Sequence, residues 1–329
     1  MNASSNTMHK LIQYFTLLVL ALLPLTGIGQ TEWPTKPITL VVPYPPGGVN
    51  DAVARAYASR LSTAVGKPVL VDNRAGAATT VASNYVARSP GDGTIIYAGG
   101  TSLVINPTLT GQVQYDPHKS FKPVSLMSIT PFILHIHAAF PATNLSELIA
   151  QLKANPNKFN VASSGIGATN HLIAEMFKQE TMTEAIHVPY KGGAQAGQDV
   201  ASGQAHMMFS AALEAKPILA TGKTRAIATT SGSRIPAFPE IPTLFELTGK
   251  QELIISFWQG MLVPASTPDV IVEKLQRAIS KIATDPELIE QFKMQGVEIR
   301  ASTPSEFRAF MNQEEKRWVK LIQERGIKP

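Results

Sequence analysis

The chain has 329 residues, 44% of them hydrophobic and 16% charged, with 24 Pro, 23 Gly and no Cys. That length exceeds what one hydrophobic core usually supports, so two domains are expected, and the ordinary apolar fraction excludes a disordered or collagen-like chain. The lack of Cys removes disulfides, thiolate metal sites, iron–sulfur clusters and thiol nucleophiles, and a net charge of +5 scattered along the chain, with no dense basic cluster, excludes a nucleic-acid interface.

The N-terminus is polar and carries Lys10, and an almost charge-free apolar run then extends from Leu11 to Gly29. Gly27 and Gly29 offer a small-residue cleavage site before the polar Thr31-Glu32-Trp33-Pro34. That order predicts a secretory signal peptide over residues 1–29. The alternative is an uncleaved anchor, since the run approaches the length of a membrane span, but Pro24 and the glycines favour cleavage. An exported, soluble, two-domain protein follows.

Ile38–Val42 is a short apolar run without alternation, as expected of a parallel strand buried on both faces. It stops at Pro43-Tyr44-Pro45-Pro46-Gly47-Gly48, after which Asn50 or Asp51 can cap a helix. Ala52, Val53, Ala56, Tyr57, Leu61 and Ala64 give that helix one apolar face. Val69–Val71 and Thr94–Tyr97 read as the next strands, with a helical stretch near Thr80–Arg88 between them. The βαβαβ pattern implies a parallel sheet with helices on both faces. Two successive strand-like runs follow, Val124–Ile129 and Phe132–His137. A second α/β set comprises helix Leu145–Lys153, strand Phe159–Ser163, helix His171–Gln179, and strands His206–Phe209 and Arg225–Thr230. Leu253–Val263 is strand-like again, and the tail from Pro268 to Ile327 is mostly helical, with Val270, Ile271, Leu275, Ile279 and Ile282 on one face. The expected layout is a discontinuous first domain, residues 31–128 plus 256–329, flanking an inserted domain, residues 129–255. Two crossings imply two hinges and a cleft.

The loop Tyr44–Gly48 lies between a strand and a helix, where unpaired N–H groups and the helix dipole attract anions. Gly47 and Gly48 let the backbone approach a ligand closely; the two prolines cannot donate, which places the donor role on Gly47, Gly48 and Val49. Ser163-Ser164-Gly165-Ile166-Gly167-Ala168-Thr169-Asn170 repeats this arrangement in the second set of elements and adds hydroxyls. Each loop is also readable as an ordinary turn. Their equivalent positions make the pair informative, because ligands of such sheets sit at the carboxyl ends of the strands. Thr101-Ser102 adds two hydroxyls at the same edge. No G-x-G-x-x-G is completed, so no dinucleotide cofactor is expected. His135 with His137, and His171 with Glu175, share faces but lack an evident third metal ligand. A serine nucleophile lacks G-x-S-x-G and an identifiable base. Arg74 is either a carboxylate clamp or the partner of Asp72 or Asp51.

The motifs resemble one family, the extracytoplasmic substrate-binding proteins of tripartite tricarboxylate transporters, also called the Bug family. The matching segments begin with Val42–Gly48, Asp51, Ala54-Arg55, Asn73-Arg74, Ser89-Pro90-Gly91-Asp92-Gly93 and Ile105-Asn106-Pro107. They continue with Ser163-x-Gly165-x-Gly167, His171-Leu172, His187–Gly192, Gly222-Lys223 with Arg225, and Pro239–Thr243. Together they cover nearly the whole mature chain. The resemblance implies an α/β, two-lobed periplasmic-binding-protein fold of type II-like form, with two parallel-sheet domains, a cleft and two crossings. It implies a small organic carboxylate held, partly through water, by loops that carry Tyr44, Pro46, Gly47 and Gly48, by Thr101 and Ser102, and by Ser163, Gly165, Gly167, Ala168, Thr169 and Asn170. Tyr190 and Ser210 join them from neighbouring strand ends. The chain departs from the family pattern at Ala75 and at Ala78-Thr79, where Pro and Gly-Gly are usual, at Ala168 in place of Ser or Thr, at Gln195 in place of Pro, and at Ser210 in place of an acid in several relatives.

The expected function is therefore a receptor without chemistry, a monomer that needs no cofactor, closes on a carboxylate and delivers it to the permease subunits of a membrane transporter. A sensor that presents the ligand to a signalling protein, and an exported hydrolase, are the alternatives.

Overall fold

The computed structural model describes residues 33–329; the expected signal peptide lies outside the described residues. Strand β1 (Ile38–Val42) is buried along nearly its whole length. Parallel strands flank it, β2 (Val69–Asn73) in the register Ile38↔Val69 and β3 (Ile95–Gly100) in the register Leu40↔Ile96. The intervening helices are α1 (Val49–Val65) and α2 (Thr80–Ala87). In α1 the buried face runs through Val53, Ala54, Tyr57, Ala58 and Leu61; of the expected face, Ala52 and Ala56 are only partly buried and Ala64 is exposed, and Ala54 and Ala58 take their place. The Tyr57 hydroxyl donates to the Met127 carbonyl at 3.0 Å and ties α1 across the sheet.

Helix α3 (Ser102–Thr110) follows β3 and contains Pro107. A proline inside a helix leaves the carbonyl four residues earlier without its donor. Here the Tyr115 hydroxyl donates to that carbonyl, Leu103 O, at 3.1 Å. A residue outside the helix thus repairs the gap that Pro107 leaves.

The two runs expected after Pro123 are one strand, β4 (Phe121–His137), of 17 residues. Its first part, Phe121 to Pro131, pairs antiparallel with β9 (Ser256–Pro264), which itself lies beside β3 in the register Gly100↔Gln259. Its second part pairs with β7 (Met207–Ala211) and β8 (Thr224–Thr229). Pro131 sits opposite Ser256, where β4 changes partners, a position at which the missing N–H interrupts no continuous ladder.

The second sheet has β5 (Asn160–Ser163) between β6 (Ile186–Pro189) and β7, both parallel to it. Helix α4 (Leu145–Ala154) precedes β5, and α5 (Thr169–Thr181), α6 (Gly193–Ser202) and α7 (Ala212–Leu219) connect or follow its strands. Parallel pairing is thus confined to three strands of each sheet, while β4 and β9 run antiparallel to their neighbours.

The return from β8 passes through the one-turn helix α8 (Leu244–Thr248) to β9. Thr230, fully buried, joins both crossings: its N–H donates to Phe132 O at 2.9 Å, its Oγ1 accepts from Phe132 N at 2.9 Å and donates to Ile255 O, and its carbonyl accepts from Ile255 N at 2.9 Å.

The tail holds α9 (Asp269–Ile282), α10 (Pro286–Lys293), the two-residue strand β10 (Glu298–Ile299) and α11 (Pro304–Glu324). Ile271, Val272, Leu275, Ile279 and Ile282 form the buried face of α9; Val270 is 51% exposed and lies off it. Helix α11 begins with a reciprocal cap between Thr303 and Glu306 and buries Phe307 and Trp318 in the core. No helix among the described residues is long and apolar enough to cross a membrane.

Candidate functional site

The loop after β1 is held from behind by a buried carboxylate. Asp51 accepts from Gly47 N–H at 3.0 Å, Arg55 Nε at 2.9 Å and Asn73 Nδ2 at 2.9 Å. Asn73 also donates to Tyr44 O at 3.0 Å and accepts from Arg55 at 2.9 Å. Burial raises the Asp51 pKa, but the bonds from Arg55, Asn73 and Gly47 outweigh it and hold the carboxyl below its ordinary range. The Gly47 N–H is therefore occupied. Gly48 precedes α1 without a side-chain cap, and the first intrahelical bond runs from Ala52 N to Gly48 O. The donors that remain at this end are the N–H groups of Gly48, Val49 and the first turn, which no helical carbonyl reaches.

Tyr44 Oη lies 3.2 Å from Ser102 Oγ, and its ring meets Phe257 edge to face at 6.0 Å between centroids. The structure thus brings Tyr44, Gly48 and Ser102 to one sheet edge, with Pro46 and Gly47 exposed beside them. Thr101 is fully buried, so Ser102 is the hydroxyl of that pair that meets Tyr44. Arg74 binds Asp72 at 2.7 Å and lies 3.6 Å over the Tyr85 ring; of the two readings of Arg74, the geometry is that of the partner to Asp72.

The second loop, after β5, is also largely self-bonded. Ser164 donates through N–H and Oγ to Asn170 Oδ1 at 3.2 and 3.0 Å. Gly165 N–H donates to Ser163 Oγ at 3.2 Å, Gly167 N–H to His171 Nδ1 at 3.0 Å, and Ala168 N–H to Gly165 O at 3.2 Å. Ser163 is fully buried, and its Oγ lies 2.6 Å from His187 Nε2. The N–H groups left open lie in the first turn of α5, where Thr169 and Asn170 come ahead of the first helical bond, Leu172 N to Ala168 O. Tyr190 is tied to the same loop, its N–H donating to Ser163 O at 2.9 Å. Ser210 is placed differently: it is buried in the sheet with its Oγ 2.8 Å from His135 Nε2. Burial lowers the His135 pKa to about 4, so that ring is neutral near pH 7. Among the described residues no three His, Cys, Asp or Glu side chains are grouped as a metal site.

The second loop reaches helix α3, which belongs to the first sheet. Gly167 has φ +74°, and a Cβ there would collide with Leu109 of α3, the helix that begins at Ser102. The anion-seeking ends of α1 and α5 therefore lie on two sheets that touch at Leu109 and Gly167 and are joined by β4 and the chain at Thr230–Ile255. Sequence reasoning missed the Asp51–Arg55–Asn73 support and the stacking of His171 on His187, with ring centroids 3.7 Å apart and planes at 10°. The four-residue spacing of His171 and Glu175 was the one local signal of that cluster, and it pointed only to a metal pair.

Two sheets bridged by two crossings, each carrying a glycine loop and a helix N-terminus at a strand end, define a two-lobed solute-binding protein. The model of the tripartite tricarboxylate transporter family receptor, TctC, matches residues 53–327, and the chain belongs to that family. It is similar to BugT of Bordetella pertussis, with 32% identity over 307 residues covering 92% of this chain and 93% of BugT. Among solved structures it resembles the periplasmic binding protein BugD, with a TM-score of 0.79 and 31% identity over 90% of this chain and 99% of that one. A Rhodopseudomonas palustris protein with adipate gives a TM-score of 0.82 and 32% identity over 90% and 99% of the two chains. MatC from the same species, with bound malate, gives 0.78 and 27% over 88% and 100%.

Proposed function

We propose that this protein is a periplasmic receptor that captures a small organic carboxylate between its two lobes and delivers it to a tripartite tricarboxylate-type permease, without chemistry of its own. What supports this reading is a pair of helix N-termini at strand ends of the two sheets, α1 behind Gly48 and α5 behind Ala168, each with N–H groups left over after the loop's own bonds, on lobes that touch at Leu109 and Gly167. An anion between them meets donors from both lobes. Adipate and malate in the similar R. palustris proteins support a ligand of this class.

In this reading residues 31–128 with 256–329 form one lobe and 129–255 the other, and the bends fall at Thr130–Pro131 and between Thr230 and Ile255. Closure shifts the population toward the state in which both helix ends reach the ligand. The protein acts as a monomer. A screen of mono-, di- and tricarboxylates, amino acids and aromatic acids by thermal shift tests this directly. A true ligand at about 100 times its Kd stabilises the fold by about 2.7 kcal/mol, whereas neutral sugars leave the midpoint unmoved. A ligand that disappears on long incubation would instead make the protein a hydrolase.

A further inference from the structure

We propose that the stacked imidazoles of His171 and His187 are positioning residues of the carboxylate site: as neutral rings they lock the second loop, and this aims the open N–H groups of α5 at the ligand. This rests on the receptor reading above.

Each ring has its protons assigned by its neighbours. Ser163 Oγ donates to Gly165 O at 3.1 Å and accepts from Gly165 N at 3.2 Å. The contact from Ser163 Oγ to His187 Nε2 at 2.6 Å is then satisfied when Nε2 carries the proton and donates, leaving Nδ1 bare. His171 Nδ1 accepts from Gly167 N–H at 3.0 Å, so its proton is on Nε2, which faces Glu175 Oε1 at 3.7 Å. One ring therefore fixes the start of the loop through Ser163 and the other fixes its end through Gly167. Stacking at 3.7 Å couples the two.

Charge around the pair favours the neutral state of His187. On α5, Glu175 faces His171, but Lys178 Nζ lies 2.6 Å from its Oε1 and Arg325 donates to its Oε2 at 3.1 Å. From the segment before β6, Glu184 receives both terminal nitrogens of Arg325 at 3.2 and 3.1 Å and lies 3.9 Å from Lys178. Two carboxylates are thus matched by two cations, and Glu175 is already taken. Burial, the neighbouring His171 and Lys178 hold His187 down to about 4, against a smaller upward pull from Glu175. A proton added to His171 Nδ1 would point at the Gly167 N–H and remove its acceptor. A ring that merely filled the core would need neither nitrogen in a set state.

Two kinds of substitution separate the roles. His171→Asn places an amide oxygen near the ring's Nδ1, and His187→Gln places an amide nitrogen near its Nε2, so both keep the loop bonds and neither titrates. His171→Leu and His187→Leu keep bulk alone. Affinity is read by calorimetry at neutral pH with the tightest binder to the wild-type protein from a panel of three- to eight-carbon mono- and dicarboxylates. The leucine variants are expected to weaken binding about tenfold or more, the amide variants by less than about threefold. Between about pH 6 and pH 4 the wild-type protein should lose about twofold more affinity than the His171→Asn/His187→Gln double variant, which shares the ligand's own titration, as about half of the His187 rings take up a proton. Long-range 1H–15N NMR of the unliganded protein should show Nε2–H tautomers at both rings. Leucine variants that bind as well as the amide variants, or an Nδ1–H tautomer at His171, would overturn the proposal. If no carboxylate in the panel binds the wild-type protein, the receptor reading fails and takes the positioning role with it, while the tautomers still report whether the rings lock the loop.

Discussion

Gly48 is where the ligand account meets a single atom. The neighbouring Gly47 N–H is held by Asp51, while Gly48 has φ −82° and open space where a Cβ would stand. Proline fits that φ but removes the donor, so Gly48→Pro should weaken a directly bound carboxylate by a charged hydrogen bond, about 1.5–3 kcal/mol, or roughly ten- to hundredfold. Gly48→Ala keeps the donor and should bind nearly as well as the wild-type protein. Equal losses in both variants would make space the contribution of Gly48; small losses in both would place a water between loop and ligand. Another residue-scale effect lies nearby. Ala77, Ala78 and Thr79 have φ of 44°, 51° and 78° in succession, just where the family pattern has Gly at the last two positions. A left-handed alanine costs roughly 1–2 kcal/mol, and glycine's greater freedom when unfolded returns roughly 0.5–1 of that. Ala78→Gly should therefore raise stability by about 0.5–1 kcal/mol, seen as a higher urea midpoint with an unchanged slope. A lower midpoint would mean that the Ala78 methyl makes a contact worth more than the strain.

At the scale of elements, the glycine loops, β1, α1, β5 and the helical tail are legible because each has its own local pattern. What escapes reading depends on distant partners. Helix α3 is hidden by Asn106-Pro107, because the Tyr115 hydroxyl that completes it lies beyond the helix. Strand β4 looks like two strands because Thr130-Pro131 marks a change of partners. Helices α6 and α7 and edge strand β6 are short; α6 is rich in Ala and Gly, α7 contains Pro217, and β6 has little buried surface. The site itself was legible to the level of the loops but not of the donors, since Asp51 and Asn73 occupy one loop from 22 residues apart, and His187 reaches Ser163 from 24 residues away. The Pro107–Tyr115 repair is testable by a double-mutant cycle. Tyr115→Phe leaves Leu103 O without its donor and should cost about 1–3 kcal/mol. Pro107→Ala supplies the helical N–H, so the same Tyr115→Phe change should cost clearly less in that background. Equal costs in the two backgrounds would mean that the hydroxyl does not substitute for the missing helical donor.

For the whole molecule, the histidine and carboxylate cluster that supports the second loop also sets how the fold responds to acid. His187, lowered from 6.5 to about 4, is neutral when folded while the unfolded ring binds a proton, so stability is full above about pH 6.5 and declines as pH falls toward 4. Glu175 is lowered from 4.5 to about 2, because His171, Lys178 and Arg325 together outweigh the upward effect of burial. Its contribution is full above about pH 4.5 and is lost between there and about pH 2. Thermal midpoints should thus fall in two stages on acidification, the first, to which buried His135 also contributes, clearly reduced in His187→Gln. A first stage of unchanged size in that variant would assign it to another group.

The central claim is that two helix ends on opposite lobes hold one ionised carboxylate. Its most direct measurement is calorimetric titration of the wild-type protein with the best-binding acid from the screen and with the amide of that acid, at neutral pH where the acid is ionised. Two sets of N–H donors and no compensating acceptor predict saturable one-to-one binding of the acid and an affinity for the amide lower by at least about tenfold, the equivalent of one charged hydrogen bond. Equal affinity for the acid and its amide would contradict the account.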